Sequence, residues 1–304
     1  MADSQRPAEH ILITGATGGI GKAMAEQLVR EGANVYVTGR DNEKLKALVD
    51  HLDTMRREGQ TILPFCFDIG HLTKVKDAMT AISKLPLDTV IFNAGVMFPS
   101  PRAVHDDNHP ALEDTIKVNV LGHFVMARHL VRDREEREGD RVLPHLRFVV
   151  ISSTMANHAS QYLTRWPREA DSFNKFFSRH LFTSDGWLSY MDSKLGSIVM
   201  AQHLNEKPNT SAVAIYPGVA STEIFSAMPW VQRKLLSWLP ASWRPTMENV
   251  DTVANRVIGE AVRSNGIFDG HWICDGTKVI PTNVDTTQKD KFMRFIEHLT
   301  DQFM

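Results

Sequence analysis

Short apolar runs alternate along the chain with longer segments in which apolar residues recur every three or four positions. The short runs predict buried strands, and the recurring pattern predicts helices. This alternation is typical of βαβ units around a mostly parallel sheet. We therefore expect one doubly wound α/β domain spanning residues 1–304, with a seven-stranded parallel sheet flanked by helices. The predicted strands are His10–Thr14, Asn34–Thr38, Ile62–Phe67, Thr89–Asn93, Arg147–Ser152, Ser211–Tyr216 and His271–Cys274.

The composition removes several classes of protein. The 304 residues are 42% hydrophobic and carry a formal net charge of −2, which is an ordinary globular balance without the basic excess that nucleic acid requires. Two cysteines, Cys66 and Cys274, are too few for a disulfide framework and have no metal-type spacing with histidine, so no metal is expected. No apolar run is long enough to span a membrane. These features favour a cytoplasmic protein.

A glycine-rich turn connects the first predicted strand to the first predicted helix. Glycine permits positive φ and close backbone approach, and a helix N-terminus offers free N–H groups to a phosphate. The turn therefore predicts a dinucleotide pyrophosphate site. Its cofactor-binding candidates are Thr14, Gly15, Thr17, Gly18, Gly19, Ile20 and Gly21.

The end of the second predicted strand indicates which dinucleotide is bound. An NAD site usually presents a carboxylate to the ribose 2′-hydroxyl at this point. Gly39-Arg40 stands there instead. An arginine makes a charge-assisted, bidentate contact with a phosphate, so Arg40 favours NADP(H) over NAD(H).

The candidate chemistry lies on the predicted helix after the fifth strand. Of the four tyrosines, only Tyr190 is followed four residues later by a lysine, Lys194, and this spacing places both side chains on one helical face. Ser152-Ser153 closes the fifth predicted strand, and Asn93-Ala94-Gly95 closes the fourth. Asn119 follows in Lys117–Gly122.

Taken together, these motifs resemble the short-chain dehydrogenase/reductase family over nearly the whole chain. The glycine-rich turn, Asn93-Ala94-Gly95, Asn119, Ser153, Tyr190-x-x-x-Lys194 and Pro217-Gly218 occur in the family's order. The residues within the motifs, such as Asn119-Val-Leu-Gly-His-Phe124, are most similar to those of the retinol-dehydrogenase-like branch. The resemblance implies a Rossmann-type fold and an oxidoreductase activity.

The resemblance also assigns roles to residues. It implies that Asn119, Ser153, Tyr190 and Lys194 are catalytic, with Asn119 placing a water that links Lys194 to solvent. Ser153 is favoured over Ser152 on this basis alone. Asp68 is expected to contact the adenine ring and Thr222 the nicotinamide carboxamide. The further cofactor-binding candidates are Ile69, Asn93, Ala94, Gly95, Tyr190, Lys194, Pro217, Gly218 and Val219.

The chemistry of carbonyl reduction fits these residue types. A hydride must come from the cofactor and a proton must reach the carbonyl oxygen, for which Tyr190 is the expected donor. An ordinary tyrosine has a pKa of about 10, so we expect the Lys194 ammonium, together with the positively charged nicotinamide of the oxidised cofactor, to lower the pKa of Tyr190. Ser153 would hold the carbonyl oxygen by a hydrogen bond.

Two aromatic-rich segments predict the kind of substrate. Residues 154–189 contain seven aromatic side chains and residues 223–249 contain four. Both segments flank the catalytic groups in the family's topology, so we expect them to wall a pocket for a small lipophilic substrate: a retinoid, steroid, fatty or polycyclic alcohol or carbonyl. An equally weighted alternative is that these rings pack on one another or fill an oligomer interface.

Some alternatives stay open at this point. The predicted C-terminal helix, 287–304, has an apolar face that covers the sheet or a neighbouring subunit, or, less favourably, docks on a membrane surface. A homodimer is compatible with the sequence. The competing functional hypothesis is an NADP(H)-binding sensor or scaffold without turnover.

Overall fold

The computed structural model describes most of the chain, with gaps between the described ranges. These ranges are residues 8–97, 114–137, 145–159, 186–218, 248–263, 272–274, 278–280 and 286–304. In this part of the chain, no helix is long and apolar enough to cross a membrane.

Within the described ranges, eight strands form one sheet, in the order β3-β2-β1-β4-β5-β6-β7-β8. All seven predicted strands are present, each within one residue of its predicted bounds, and adjacent members pair in parallel. The prediction of seven strands omits β8, which pairs antiparallel with β7 at the edge of the sheet. The strands are β1 His10–Ile13, β2 Asn34–Gly39, β3 Ile62–Cys66, β4 Thr89–Phe92, β5 Leu146–Ile151, β6 Thr210–Tyr216, β7 Trp272–Cys274 and β8 Lys278–Ile280.

Helices cover both faces of the sheet. One of them, α4, begins as an α-helical turn at Asp114–Ile116, passes through a π-helical turn at Lys117–Leu121 and continues as α-helix over Gly122–Arg137. Another, α7, passes into a π-helical turn at Ile258–Val262. The other bounds are α1 Gly19–Glu31, α2 Asn42–Asp53, α3 Leu72–Ile82, α5 Ala156–Ala159, α6 Gly186–Leu204, α7 Val250–Val257 and α8 Thr286–Thr300, which a 3₁₀ turn at Asp301–Phe303 extends.

The sheet separates two apolar cores. Side chains alternate across each strand, so Ile11 and Ile13 of β1 pack with α1 and α2, whereas Leu12 packs on the opposite face. That opposite core also contains buried residues of α3, α4, α6 and α8. The candidate catalytic helix α6 therefore lies over the same face as α4.

The topology identifies one crevice at the carboxyl edge of the sheet. The chain builds β1, β2 and β3 outward, then returns so that β4 pairs with the other side of β1. Loops after β1 and β4 consequently diverge to opposite faces and leave an opening between them, which is where open α/β sheets bind ligands. The glycine-rich turn and Asn93 both stand at this point.

The edge strand β3 is more exposed than its apolar sequence pattern predicts. The apolar run suggested a buried strand, but Leu63, Pro64 and Cys66 are exposed because β3 has a partner on one side only. Cys66 is therefore an exposed cysteine and not part of a core. The side chain of Cys274 lies outside the described residues.

The C-terminal helix α8 begins one residue before the prediction and buries its apolar face within the protein. Phe292, Ile296 and Leu299 belong to the core that α4 and α6 share. Arg128 of α4 donates to the carbonyl of Glu297 over 3.2 Å and pairs with Asp301 at 2.9 Å. The helix thus covers other helices of the same chain.

Candidate active site

The glycine-rich turn leaves the N-terminus of α1 open. Gly15 and Gly19 have positive φ values of 65° and 52°, a conformation that favours glycine. A side chain at Gly21 would meet the Gly15 carbonyl oxygen at 2.5 Å. Gly18 is the N-cap residue of α1 and gives it no side-chain hydrogen bond, and a Cβ at Gly18 would have nothing within 4 Å. The first N–H groups of α1 therefore have no capping side chain from Gly18, which leaves them available to a phosphate.

Hydrogen bonds fix this turn to the end of β4. The Thr14 hydroxyl oxygen accepts the backbone N–H groups of Asn93 and Ala94, each over 3.0 Å. The Asn93 amide donates to the carbonyls of Thr14 and Gly15 at 2.9 and 3.1 Å. These predicted residues are thus brought together, and both strand ends that border the crevice are held in a fixed relation.

The end of β2 lies directly beside the turn. A Cβ at Gly39 would stand 2.6 Å from Thr17 Cγ2, so only glycine permits this approach. Arg40 is exposed. Asp41, which follows it, caps α2 by accepting the N–H groups of Glu43 and Lys44 at 3.0 Å. The one acidic side chain next to Arg40 in sequence is therefore occupied by helix capping.

The loop after β3 packs against the π-helical turn of α4. Asp68 is half-buried and accepts the N–H of Gly70 over 2.9 Å, and Ile69 is buried. A Cβ at Gly122 would lie 2.0 Å from the Ile69 carbonyl oxygen. Burial, with a smaller contribution from nearby Asp68, raises the pKa of Asp114 above its ordinary value, and Lys117 opposes the shift.

Asn119, on this π-helical turn, is almost fully occupied by protein partners. Its side-chain oxygen accepts the Val96 N–H at 2.8 Å, while its amide donates to the Val96 carbonyl and the Ser193 hydroxyl at 3.0 and 2.9 Å. A Cβ at Gly95 would lie 3.4 Å from Asn119 Oδ1 and 3.5 Å from Lys194 Nζ. Asn119 therefore connects the segment after β4 to α6.

The structure separates the two serines that close β5. Ser152 is buried and donates to the backbone carbonyl of Lys194 over 2.8 Å. Ser153 is half-buried, and its side chain shares a hydrogen bond with that of Tyr190. Ser153 is thus the serine that lies beside the candidate acid.

The pKa of Tyr190 moves in the direction opposite to our expectation. The phenol is 8% exposed, and burial raises its pKa to about 12; the Ser153 hydrogen bond opposes the shift, and Tyr216 adds to it. The expectation of a lowered value considered the charges of Lys194 and of the oxidised nicotinamide but not desolvation, which disfavours the phenolate. In this state Tyr190 is a protonated phenol at neutral pH.

Lys194 is buried beneath Tyr190. Its ammonium donates to the Ile151 carbonyl over 3.0 Å and lies 5.5 Å from the centre of the Tyr190 ring. Burial lowers the pKa of Lys194 to about 8. The predicted pair does share one face of α6, and its lysine gives up a proton much more readily than an exposed lysine.

The Pro217-Gly218 turn follows β6 and is held by an ion pair. Arg256 of α7 donates to the Pro217 carbonyl over 2.8 Å and to Glu248 over 3.0 Å. Gly218 has a φ of 102°, and a Cβ there would lie 2.3 Å from Glu248 Oε1. Val219 and Thr222 lie outside the described residues, as do most residues of the two aromatic segments.

Sequence reasoning missed three residues of this site. Tyr216 was named only as the last residue of a predicted strand, although its position immediately before Pro217 was a usable signal. Arg256 and Glu248 are 39 and 31 residues from Pro217 in sequence, so no local pattern could have linked them.

The comparisons with known proteins identify the family. A family model described as short chain dehydrogenase matches residues 9–162. The chain belongs to the short-chain dehydrogenase family.

Curated relatives of this short-chain dehydrogenase include the predicted branch. Human polyprenol dehydrogenase is 28% identical over 77% of this chain and 68% of its own length. A putative daunorubicin C-13 ketoreductase of Streptomyces sp. (strain C5) is 30% identical over 72% and 68%. Human retinol dehydrogenase 11 is 27% identical over 75% and 67%. The family and its retinol-dehydrogenase-like neighbours are thus confirmed.

Solved structures share the fold. A short chain dehydrogenase from Burkholderia cenocepacia in complex with NADP superposes with a TM-score of 0.60 at 22% identity, covering 88% of this chain and 96% of that one. A 3-oxoacyl-[acyl-carrier protein] reductase from Brucella melitensis with bound NAD gives 0.59 at 20% identity, covering 88% and 90%. A single Rossmann-like α/β domain is confirmed.

Proposed function

We propose that this short-chain dehydrogenase transfers a hydride between NADP(H) and a lipophilic carbonyl or alcohol. One observation carries the proposal: buried Tyr190 and Lys194 and half-buried Ser153 form one cluster beside the crevice at the carboxyl edge of the sheet. A protonated phenol, a hydroxyl partner and a lysine of lowered pKa are the groups that carbonyl reduction needs.

The turn after β1 fits a dinucleotide pyrophosphate. The first N–H groups of α1 are not satisfied by a capping side chain, and a Cβ at Gly18 would meet open space. The partial positive charge of a helix N-terminus stabilises an anion placed there. Gly15, Gly18 and Gly19 would hold the pyrophosphate through their backbone.

The preference for NADP(H) rests on Arg40 and Asp41. The exposed Arg40 guanidinium stands at the end of β2, where it would contact a 2′-phosphate. The Asp41 carboxylate accepts two N–H groups of α2, so it is engaged elsewhere than at a ribose hydroxyl. A site with a free arginine and an occupied carboxylate favours the phosphorylated ribose.

In the reductive direction, bound NADPH would supply the hydride. Tyr190 would donate its phenolic proton to the carbonyl oxygen, and Ser153 would stabilise the developing negative charge on that oxygen by a hydrogen bond. The Lys194 ammonium would stabilise the tyrosinate that remains. With a pKa of about 8, Lys194 is also suited to return a proton to Tyr190.

The substrate class is inferred from composition and from relatives. Residues 154–189 and 223–249 hold eleven aromatic side chains, which would wall a lipophilic pocket. The relatives are named for polyprenol, retinol and a daunorubicin ketone. We accordingly assign a large, poorly soluble alcohol or carbonyl to this pocket, within one oxidoreductase domain.

A comparison of wild type with Tyr190→Phe tests the proposal. NADPH oxidation is followed with retinal, a polyprenal, a steroid ketone and a polycyclic ketone, and NADPH affinity is measured by fluorescence titration. We expect turnover with at least one class, and its loss in Tyr190→Phe with affinity within about twofold of wild type. Tight NADPH binding without turnover in any class would instead support a sensor.

A further inference from the structure

His123 is a buried histidine on the first turn of the α-helical part of α4, and the mechanism above does not use it. It is 1% exposed, and its ring centre lies 4.7 Å from that of Phe92. Nε2 is 2.9 Å from the Thr14 hydroxyl oxygen, and Nδ1 is 3.2 Å from the Asn119 carbonyl oxygen. The imidazole therefore contacts the glycine-rich turn on one side and the π-helical turn on the other.

These two contacts determine where the imidazole proton lies. A carbonyl oxygen only accepts, so Nδ1 must carry the hydrogen and donate it to Asn119. Nε2 is then an acceptor, and the Thr14 hydroxyl donates to it at 2.9 Å rather than to the Ile91 carbonyl, which lies farther away at 3.4 Å. Burial lowers the pKa of His123 to about 3, so the ring stays neutral across the pH range of an ordinary assay.

The hydrogen bonds continue beyond both partners. Thr14 accepts the N–H groups of Asn93 and Ala94, and the Asn119 amide donates to Ser193, the residue before Lys194. One unbroken series of contacts thus runs from the end of β4, through the start of the glycine-rich turn, to α6. His123 joins its two halves directly, in parallel with the hydrogen bonds between the Asn119 side chain and Val96 after β4.

We propose that His123 is a positioning residue that sets the glycine-rich cofactor turn and the Tyr190–Lys194 helix in one fixed relation, by holding the Thr14 hydroxyl and the Asn119 carbonyl on the two nitrogens of one ring. This inference rests on the proposed function. His123 acts through Thr14 on cofactor affinity and through Asn119 on the proton-transfer groups, so its two contacts have separable consequences.

Three substitutions separate the two contacts. His123→Phe keeps an aromatic ring against Phe92 and removes both hydrogen bonds. His123→Asn places an amide donor near the position of Nδ1 and keeps the Asn119 contact. His123→Gln places an amide oxygen near the position of Nε2 and keeps the Thr14 contact.

We expect His123→Phe to raise the Kd of NADPH and to lower kcat, each about tenfold, as a buried polar group left without its partner would. His123→Gln is expected to restore the Kd within about threefold, and His123→Asn to restore kcat likewise. If His123→Phe does not fold, the Gln and Asn variants are compared directly with wild type. The proposal is supported if His123→Gln mainly lowers kcat and His123→Asn mainly raises the Kd of NADPH.

His203→Phe is the matched control. This histidine lies on α6, packs edge-on against Phe124 at 6.1 Å and has Nε2 3.5 Å from a carboxylate oxygen of Glu297. The proposal is overturned if His123→Phe and His203→Phe lower Tm alike and neither changes Kd or kcat. It is also overturned if the Asn and Gln variants restore nothing. Should wild type reduce none of the carbonyls, the proposed function fails, yet the Kd comparison of Phe with Gln still tests His123.

Discussion

The two ends of the candidate site differ in their access to water. At the end of β5, Tyr190 and Lys194 are 8% and 4% exposed, and burial shifts both pKa values. At the end of β2, Arg40 is exposed. At the buried end, desolvation shifts the pKa values of the side chains. At the exposed end, a charged side chain is available in solvent to bind an anion. We therefore expect substitutions at the buried end to change both kcat and the free energy of unfolding. Substitutions at the exposed end should change only the affinity for the cofactor.

Lys194→Met is expected to have the largest effect on rate. Methionine has a similar length without a charge, so the variant should lose at least about 100-fold in kcat because Tyr190 loses its cationic partner. At pH 7 the same change should raise the free energy of unfolding by about 2 kcal/mol, since it removes a buried ammonium. Steady-state kinetics and urea unfolding measure the two effects.

The pH dependence of that stability gain follows from the Lys194 pKa, which burial lowers from 10.5 to about 8. The destabilising contribution of the ammonium is complete below pH 8. Between about pH 8 and 10.5 the unfolded chain keeps the proton that the folded protein has released, so wild-type stability rises with pH relative to the variant. A difference that stays constant from pH 7 to 10 would contradict the assignment.

Ser153→Ala tests which serine serves the buried end. We expect kcat to fall roughly 100-fold, because the hydrogen bond to the developing oxyanion is lost. Ser152→Ala removes the contact with the Lys194 carbonyl and should mainly lower Tm, by the equivalent of about 1 kcal/mol. Equal losses of kcat in the two variants would show that the structure's separation of these serines has no catalytic meaning.

Arg40→Ala tests the exposed end. The KM for NADPH should rise about tenfold, as expected for loss of a charge-assisted hydrogen bond, while the KM for NADH stays unchanged. Thermal unfolding without cofactor should match wild type. Lys46→Ala, at an exposed lysine on the helix α2 that follows Arg40, is the control for a general loss of positive charge.

Ionic strength should give the smallest effect and distinguish the two ends most simply. Salt screens exposed charges, so we expect the wild-type KM for NADPH to rise about two- to threefold on going from low salt to about 0.5 M. In Arg40→Ala most of this dependence should disappear. The kcat of either protein should change little, and a parallel loss of kcat would show that the buried end is also reached by solvent ions.

The sequence predicted the fold well where local pattern and burial coincide. The strand β1 and its glycine-rich turn were found because the apolar run and the glycines act within a few residues. Prediction failed at the sheet's edges: β3 is apolar but exposed, and β8 is a three-residue antiparallel strand. The residues of a strand do not by themselves predict whether it pairs with one neighbouring strand or with two.

The candidate site shows the same division. Tyr190 and Lys194 share a helical face, which their spacing alone predicted. The shift in the pKa of Tyr190 was predicted in the wrong direction, because its main cause is burial by the surrounding protein rather than the charge of the neighbouring lysine. Arg256 and Glu248 were not predicted at all, since only the folded position of α7, and of Glu248 just before it, brings them to Pro217.

By itself, the sequence determined the order of strands and helices, the phosphate-binding turn and the identity of the chemical groups, because these depend on interactions between residues close along the chain. Only the tertiary structure decided how deeply Tyr190 and Lys194 are buried, which serine meets the phenol and that His123 joins Thr14 to Asn119. These properties depend on desolvation and on contacts between distant segments, and both exist only when the sheet and its helices are assembled.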